Sequence, residues 1–192
     1  MDTLFNSTKT NPRGIPEAPF VEDISVLFKG TGKNDNDFQL IFNRFQERLQ
    51  KYKFMQESKQ VTLKQLNTRI PEISQSLKIC QLIKQQQQGD KEKEEEDDKM
   101  LFNYSLNDTL YTKATVKPSE VKNVGLWLGA DIMLEYPLNE AIELLENKLN
   151  DSNVGLKECK EDLEFLRENI TTMEVMCARL YNWDVEQRRN NK

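Results

Sequence analysis

Two stretches of the chain repeat apolar residues at alternating steps of four and three. The first reads Phe38, Phe42, Phe45, Leu49, Tyr52, Gln56, Lys59, Leu63, Leu66, Ile70, Ile73, Leu77 and Cys80. The second reads Leu138, Ile142, Leu145, Leu149, Ser152, Leu156, Cys159, Leu163, Leu166, Ile170, Met173, Cys177 and Leu180. This period places one narrow apolar seam on each of two helices, predicted over 37–88, with Asp37 as N-cap, and over 137–189, with Pro137 in the first turn. First and last seam positions lie 42 residues apart in both, about 63 Å of helix. Equal seams predict that the helices pair.

Between them, residues 100–136 gather β-branched and aromatic residues in four pieces, 100–106, 110–116, 123–128 and 131–136. Turn signals at Asn107-Asp108 and Gly129-Ala130-Asp131 predict two hairpins. Residues 1–36 hold three of the six prolines and read as a mostly irregular tail with a short helix near 20–28. Residues 89–99 form an acidic insert, expected to be disordered because it has too little apolar material to bury. Residues 190–192 are a short tail.

Charge supports the pairing. Residues 37–84 carry nine basic and four acidic side chains, whereas residues 137–189 carry seven basic and twelve acidic. Such flanks favour one helix meeting the other over either meeting itself. With the hairpins between them, the helices close as an antiparallel coiled coil, Phe38 and Leu180 at one end and the β region at the other. That register brings the seam residue Lys59 to Asp162 as an expected register-setting ion pair. It keeps Cys80, Cys159 and Cys177 apart as buried packing residues. Pro71 is expected to kink the first helix, at a cost of about 3 kcal/mol if uncompensated.

Composition narrows the chemistry. The 192 residues include no histidine, which removes Ser-His-Asp and Cys-His catalysis and imidazole metal ligation. Three cysteines without Cys-x-x-Cys spacing suggest no metal site and no disulfide framework, and fit reduced thiols in a cytosolic or nuclear protein. No Gly-Lys-Ser/Thr follows Gly30 and Gly32, so nucleotide binding has no support. The many carboxylates read as a solvated face. No cofactor is implied, and an enzyme is not expected. A net charge of −5 argues against nucleic acid as partner, and neither a leader nor a bilayer-spanning run is expected. Mean hydropathy of −0.74 argues against a single ball.

Two apolar clusters stand out from this background. Residues 124–134, including Met133, are apolar on both alternating faces, which reads either as burial under the chain's own helices or as pairing into a multi-chain sheet or closed barrel. Phe38, Phe42 and Phe45, with Leu180, Tyr181, Trp183 and Val185, gather where two helix ends offer little cover. They read either as an end-of-coil core or as an interaction site.

Several stretches are specific enough to carry a resemblance: Gly14-Ile15-Pro16-Glu17-Ala18, Lys51-Tyr52-Lys53-Phe54-Met55, Ile70-Pro71-Glu72-Ile73, LWLGADIMLEY at 126–136 and DLEFLRENITTMEVMCARLYNWDVEQR at 162–188. The chain resembles the α-type subunits of the prefoldin family. Resemblance implies a mostly α fold, a long antiparallel coiled-coil hairpin with two β-hairpins at one end. It implies a hetero-hexamer with one other α-type and four β-type subunits, working without ATP in the cytoplasm. Such a co-chaperone captures nascent actin and tubulin and passes them to the cytosolic group II chaperonin. Carried over by position, the client-binding tip is Phe38, Ile41, Phe42, Phe45, Leu180, Tyr181, Trp183 and Val185. Leu110, Tyr111, Leu126, Trp127, Leu128 and Met133 belong to assembly. The acidic insert is longer than the family leads one to expect. The competing expectation is a coiled-coil scaffold or tether without client binding.

Overall fold

The computed structural model describes residues 9–28, 35–88 and 99–190; the acidic insert expected at 89–99 lies outside them but for Lys99. Helix α1 spans Asp35–Gln88, followed by β1 (Met100–Asn107), β2 (Leu110–Val116), β3 (Asn123–Gly129), β4 (Ile132–Pro137) and helix α2 (Leu138–Asn190). The fold is thus mostly helical, with two long helices and two antiparallel hairpins. Helix α1 opens at Asp35, so Asp37 stands inside its first turn, and the helix runs on through Pro71. Pro137 pairs with Asn123 as the last residue of β4 instead of opening α2. A residue held extended by its ladder partner cannot also take helical dihedrals; α2 therefore starts one residue later.

The chain divides into two compact units, residues 1–65 with 156–192 and residues 66–155. In the first, α1 and α2 run antiparallel about a core that includes Phe45, Tyr52, Leu166, Met173, Met176 and Leu180, each no more than 1% exposed. Packed on that core are residues 9–28, expected from the sequence to be mostly irregular with a short helix near 20–28. Pro12 and the positive φ of Gly14 turn it back at 11–14, Thr10 bridges Pro16, and Ile24–Phe28 forms a 3-10 turn. Ile15, Ala18, Ile24 and Phe28 are buried in the helix pair's core. They are spaced three to six residues apart, too loosely for a helical or strand pattern to announce them.

In the second unit Ile73, Leu77, Cys80 and Ile83 of α1 meet Leu138, Ile142 and Leu145 of α2. Val124 and Leu126 of β3 close over this cluster. Gln87 donates to the carbonyls of Pro118 and Val121, at 2.7 and 2.6 Å, fixing the link between hairpins to the end of α1. No seam residue of either helix is exposed.

Each hairpin turns through two residues, Asp108-Thr109 and Ala130-Asp131. Ala130 and Asp131 both take left-handed dihedrals, φ 51° and 58°, as a type I′ turn demands. Alanine bears a Cβ that disfavours this region by about 1–2 kcal/mol. Ala130→Gly should therefore stabilise the fold by up to about 1 kcal/mol, part of the relief being offset by the freer unfolded chain. A thermal midpoint raised by a few degrees is expected, and an unchanged or lower midpoint counts against this account of the turn.

Candidate functional site

The first candidate surface belongs to the unit of residues 1–65 and 156–192. Its centre is Asp162, whose side chain is fully buried. The Lys59 ammonium lies 2.8 Å from Oδ2, an ionic contact not aligned as a hydrogen bond. Oδ1 accepts from Asn11 Nδ2 at 2.7 Å and Arg13 Nε at 2.5 Å. Arg13 also reaches Glu161 at 3.1 Å. Burial alone pushes the Asp162 carboxyl up, but the bonds and charges of Lys59 and Arg13 outweigh it and hold the group below the usual carboxylate range. One carboxylate thereby joins both helices and residues 11–13. The expected Lys59–Asp162 pair forms, and Cys159 Sγ sits 3.2 Å from the Lys59 carbonyl.

Further polar contacts extend this anchorage. Asn11 Oδ1 accepts from the amides of Arg13 and Ile15, closing the turn from within. Asn169, 4% exposed, accepts from the Ala18 amide and donates to the Phe165 carbonyl. Tyr52 donates its hydroxyl to the Pro16 carbonyl at 2.9 Å. Residues 9–28 thus act as a strap over the helix pair, and Asn11, Arg13, Asn169 and Arg179 hold it. Sequence periodicity missed all four, because each sits beside the seam or outside it.

The strap changes what the expected tip presents. Phe38, Ile41, Phe45 and Leu180 are buried, Phe42 and Trp183 half-buried against the same core. Trp183 stacks on Phe28 with centroids 4.3 Å apart and planes 4° from parallel, and Phe38 lies against Phe42 at 5.6 Å. Tyr181 and Val185 remain exposed, at 59% and 41%. Six of the eight share one core, on which residues 9–28 also pack through the Phe28–Trp183 stack, while Tyr181 and Val185 stand outside it.

The second surface belongs to the unit of residues 66–155. Leu126 faces the helices and Leu128 is half-buried, whereas Trp127 and Met133, cross-strand partners, stand on the outer face, each 59% exposed. Met133 lies over Gly125, where a Cβ would meet its sulfur at 3.1 Å. Leu110 and Tyr111 are likewise exposed, with Leu101, Tyr104 and Leu106 beside them on the other hairpin. Among the described residues both sheets have two strands, which leaves their outer edges open to further strands.

Asp162→Asn tests the buried ion pairs. Leaving two cations without their anion should cost about 2–3 kcal/mol at pH 7, less than for a fully dry pair because Lys59 keeps 38% of its side chain in solvent. A carboxyl lowered in the folded state stabilises above its unfolded pKa, and that stabilisation is lost as pH falls through the folded value. The gap in urea midpoint between the wild type and Asp162→Asn should therefore narrow from pH 7 toward pH 3, and a constant gap refutes the electrostatic account.

Comparison with known proteins identifies the family. The family described as Prefoldin subunit matches residues 52–183. Prefoldin subunit 3 of Saccharomyces cerevisiae is 59% identical over 196 aligned positions, covering 100% of this chain and 94% of the relative. Prefoldin subunit 3 of Mus musculus is 41% identical, covering 98% and 90%. Among solved structures, filamentous PFD from Methanocaldococcus jannaschii matches with TM-score 0.45 and 15% identity over 68% of this chain and 98% of that one. With its paired seams, its two open hairpins and a family match across most of its length, the chain belongs to the prefoldin family.

Proposed function

We propose that this chain is one α-type subunit of a hetero-hexameric co-chaperone, joined through its hairpins to another α-type and four β-type subunits. The complex captures unfolded or nascent chains, actin and tubulin among them, without ATP in the cytoplasm and delivers them to the group II chaperonin. The observation that carries the reading is the hairpin pair: Trp127, Met133, Leu110 and Tyr111 lie exposed on two-stranded sheets with open edges. At roughly 25 cal/mol per Å2, several exposed large apolar side chains are a strong drive to association. Capture draws on the exposed Tyr181 and Val185 beside the half-buried Phe42 and Trp183. Weak apolar contacts on several arms give avidity while leaving each site easy to release. The competing reading, a scaffold or tether without client binding, draws on the burial of Phe38, Ile41, Phe45 and Leu180.

Mixing with the other α-type and the four β-type partners should give a species of hexameric mass. Trp127→Asp with Met133→Asp should abolish it by native mass spectrometry while leaving the helical circular dichroism intact; a hexamer formed by the double variant removes the assembly reading. Tyr181→Ser with Val185→Ser should leave the hexamer whole and lower its suppression of denatured-actin aggregation severalfold. Undiminished suppression by that complex transfers the capture role away from this arm and favours the scaffold reading for it.

A further inference from the structure

The two halves of the strap are held by different chemistry. Residues 10–18 are pinned by Asn11 and Arg13 on the buried Asp162, by Asn169 on the Ala18 amide and by the Tyr52 hydroxyl on the Pro16 carbonyl. Residues 20–28 lie over the apolar helix pair with lighter fastenings. Ile24 and Phe28 are buried, Val21 and Leu27 partly so, and Phe28 stacks on Trp183. Arg179 supplies polar ties to this half: it donates to the carbonyls of Val21 and Glu22, and its guanidinium lies 5.2 Å from the Phe20 ring centroid.

Those contacts read little that is peculiar to the strap. Arg179 takes backbone carbonyls, which every peptide offers, and the remaining seat is apolar and aromatic, demanding area more than a particular side chain. A surface of this kind suits an unfolded chain of almost any sequence. Building on the capture reading above, we propose that residues 20–28 are an internal occupant of the client groove. They lift off while residues 10–18 stay anchored, and an incoming unfolded segment takes their place. The segment this seat accepts carries an aliphatic and an aromatic residue four positions apart, as Ile24 and Phe28 are, and lends two consecutive carbonyls to Arg179. Displacement uncovers Trp183, on which Phe28 stacks, and opens one side of the apolar cluster that also holds Phe38, Ile41, Phe45 and Leu180.

A tethered occupant lowers apparent client affinity by the fraction of time the seat is open. Weakening the strap alone should therefore strengthen capture. In the assembled hexamer Phe28→Ala is expected to bind reduced, carboxymethylated lactalbumin, which stays unfolded in buffer, about tenfold more tightly by fluorescence anisotropy. Hydrogen exchange of the wild-type hexamer should show residues 20–28 losing protection when that protein is added, with residues 10–18 unchanged. Equal or weaker binding by Phe28→Ala overturns the proposal, as does unaltered protection of residues 20–28 while lactalbumin is demonstrably bound. Failure of the wild-type and Phe28→Ala hexamers alike to bind unfolded protein is a different result: it removes the capture reading, and this one with it.

Discussion

A carboxylate removed from water has to find its partners inside the protein, and Asp162 ties together three separate pieces of chain. Lys59 comes from α1, Asn11 and Arg13 from the segment before it, and Asp162 itself from α2. Sliding either helix by one heptad would part Lys59 from Asp162 and leave the carboxylate beneath apolar neighbours, a cost of several kcal/mol. Apolar seams tolerate such slips far better, since one leucine replaces another. The pair therefore sets register where the seam only sets pairing.

Because the same carboxylate also receives Asn11 and Arg13, register and strap are fixed together. A helix pair in another alignment would offer the strap no buried anion, and residues 15–18 would lose their place over Tyr52 and Asn169. Glu161, Lys53 and Glu174 add charged contacts at the surface, worth little individually because solvent screens them.

In the other unit the governing constraint is incompleteness. A two-stranded ribbon buries one face at most, and here β3 spends its inner face on the helices through Val124 and Leu126. Its outer face keeps Trp127 in solvent beside Met133 of β4, an arrangement with a large standing incentive to acquire further strands. Exposed apolar face and folding core are thus the two sides of one strand, divided by its period of two.

Hairpins and helices were legible in the sequence because their signals are local and periodic. Alternating steps of four and three name the seam, Gly129-Ala130-Asp131 names a turn, and opposite charge on the two flanks names the partner. The Lys59–Asp162 pair followed from counting residues along two rods in register. The strap did not follow. Its residues have no period, because it is held by side chains 149 and 151 positions away and by an apolar seat that exists only once two helices are side by side. Nor could the sequence decide whether Phe38, Ile41, Phe45 and Leu180 face solvent, since exposure depends on what else the chain lays over them. Local pattern determined which faces are sticky; tertiary packing alone determined which of them are covered, because covering is a contact between segments whose spacing in sequence carries no information about their distance in space.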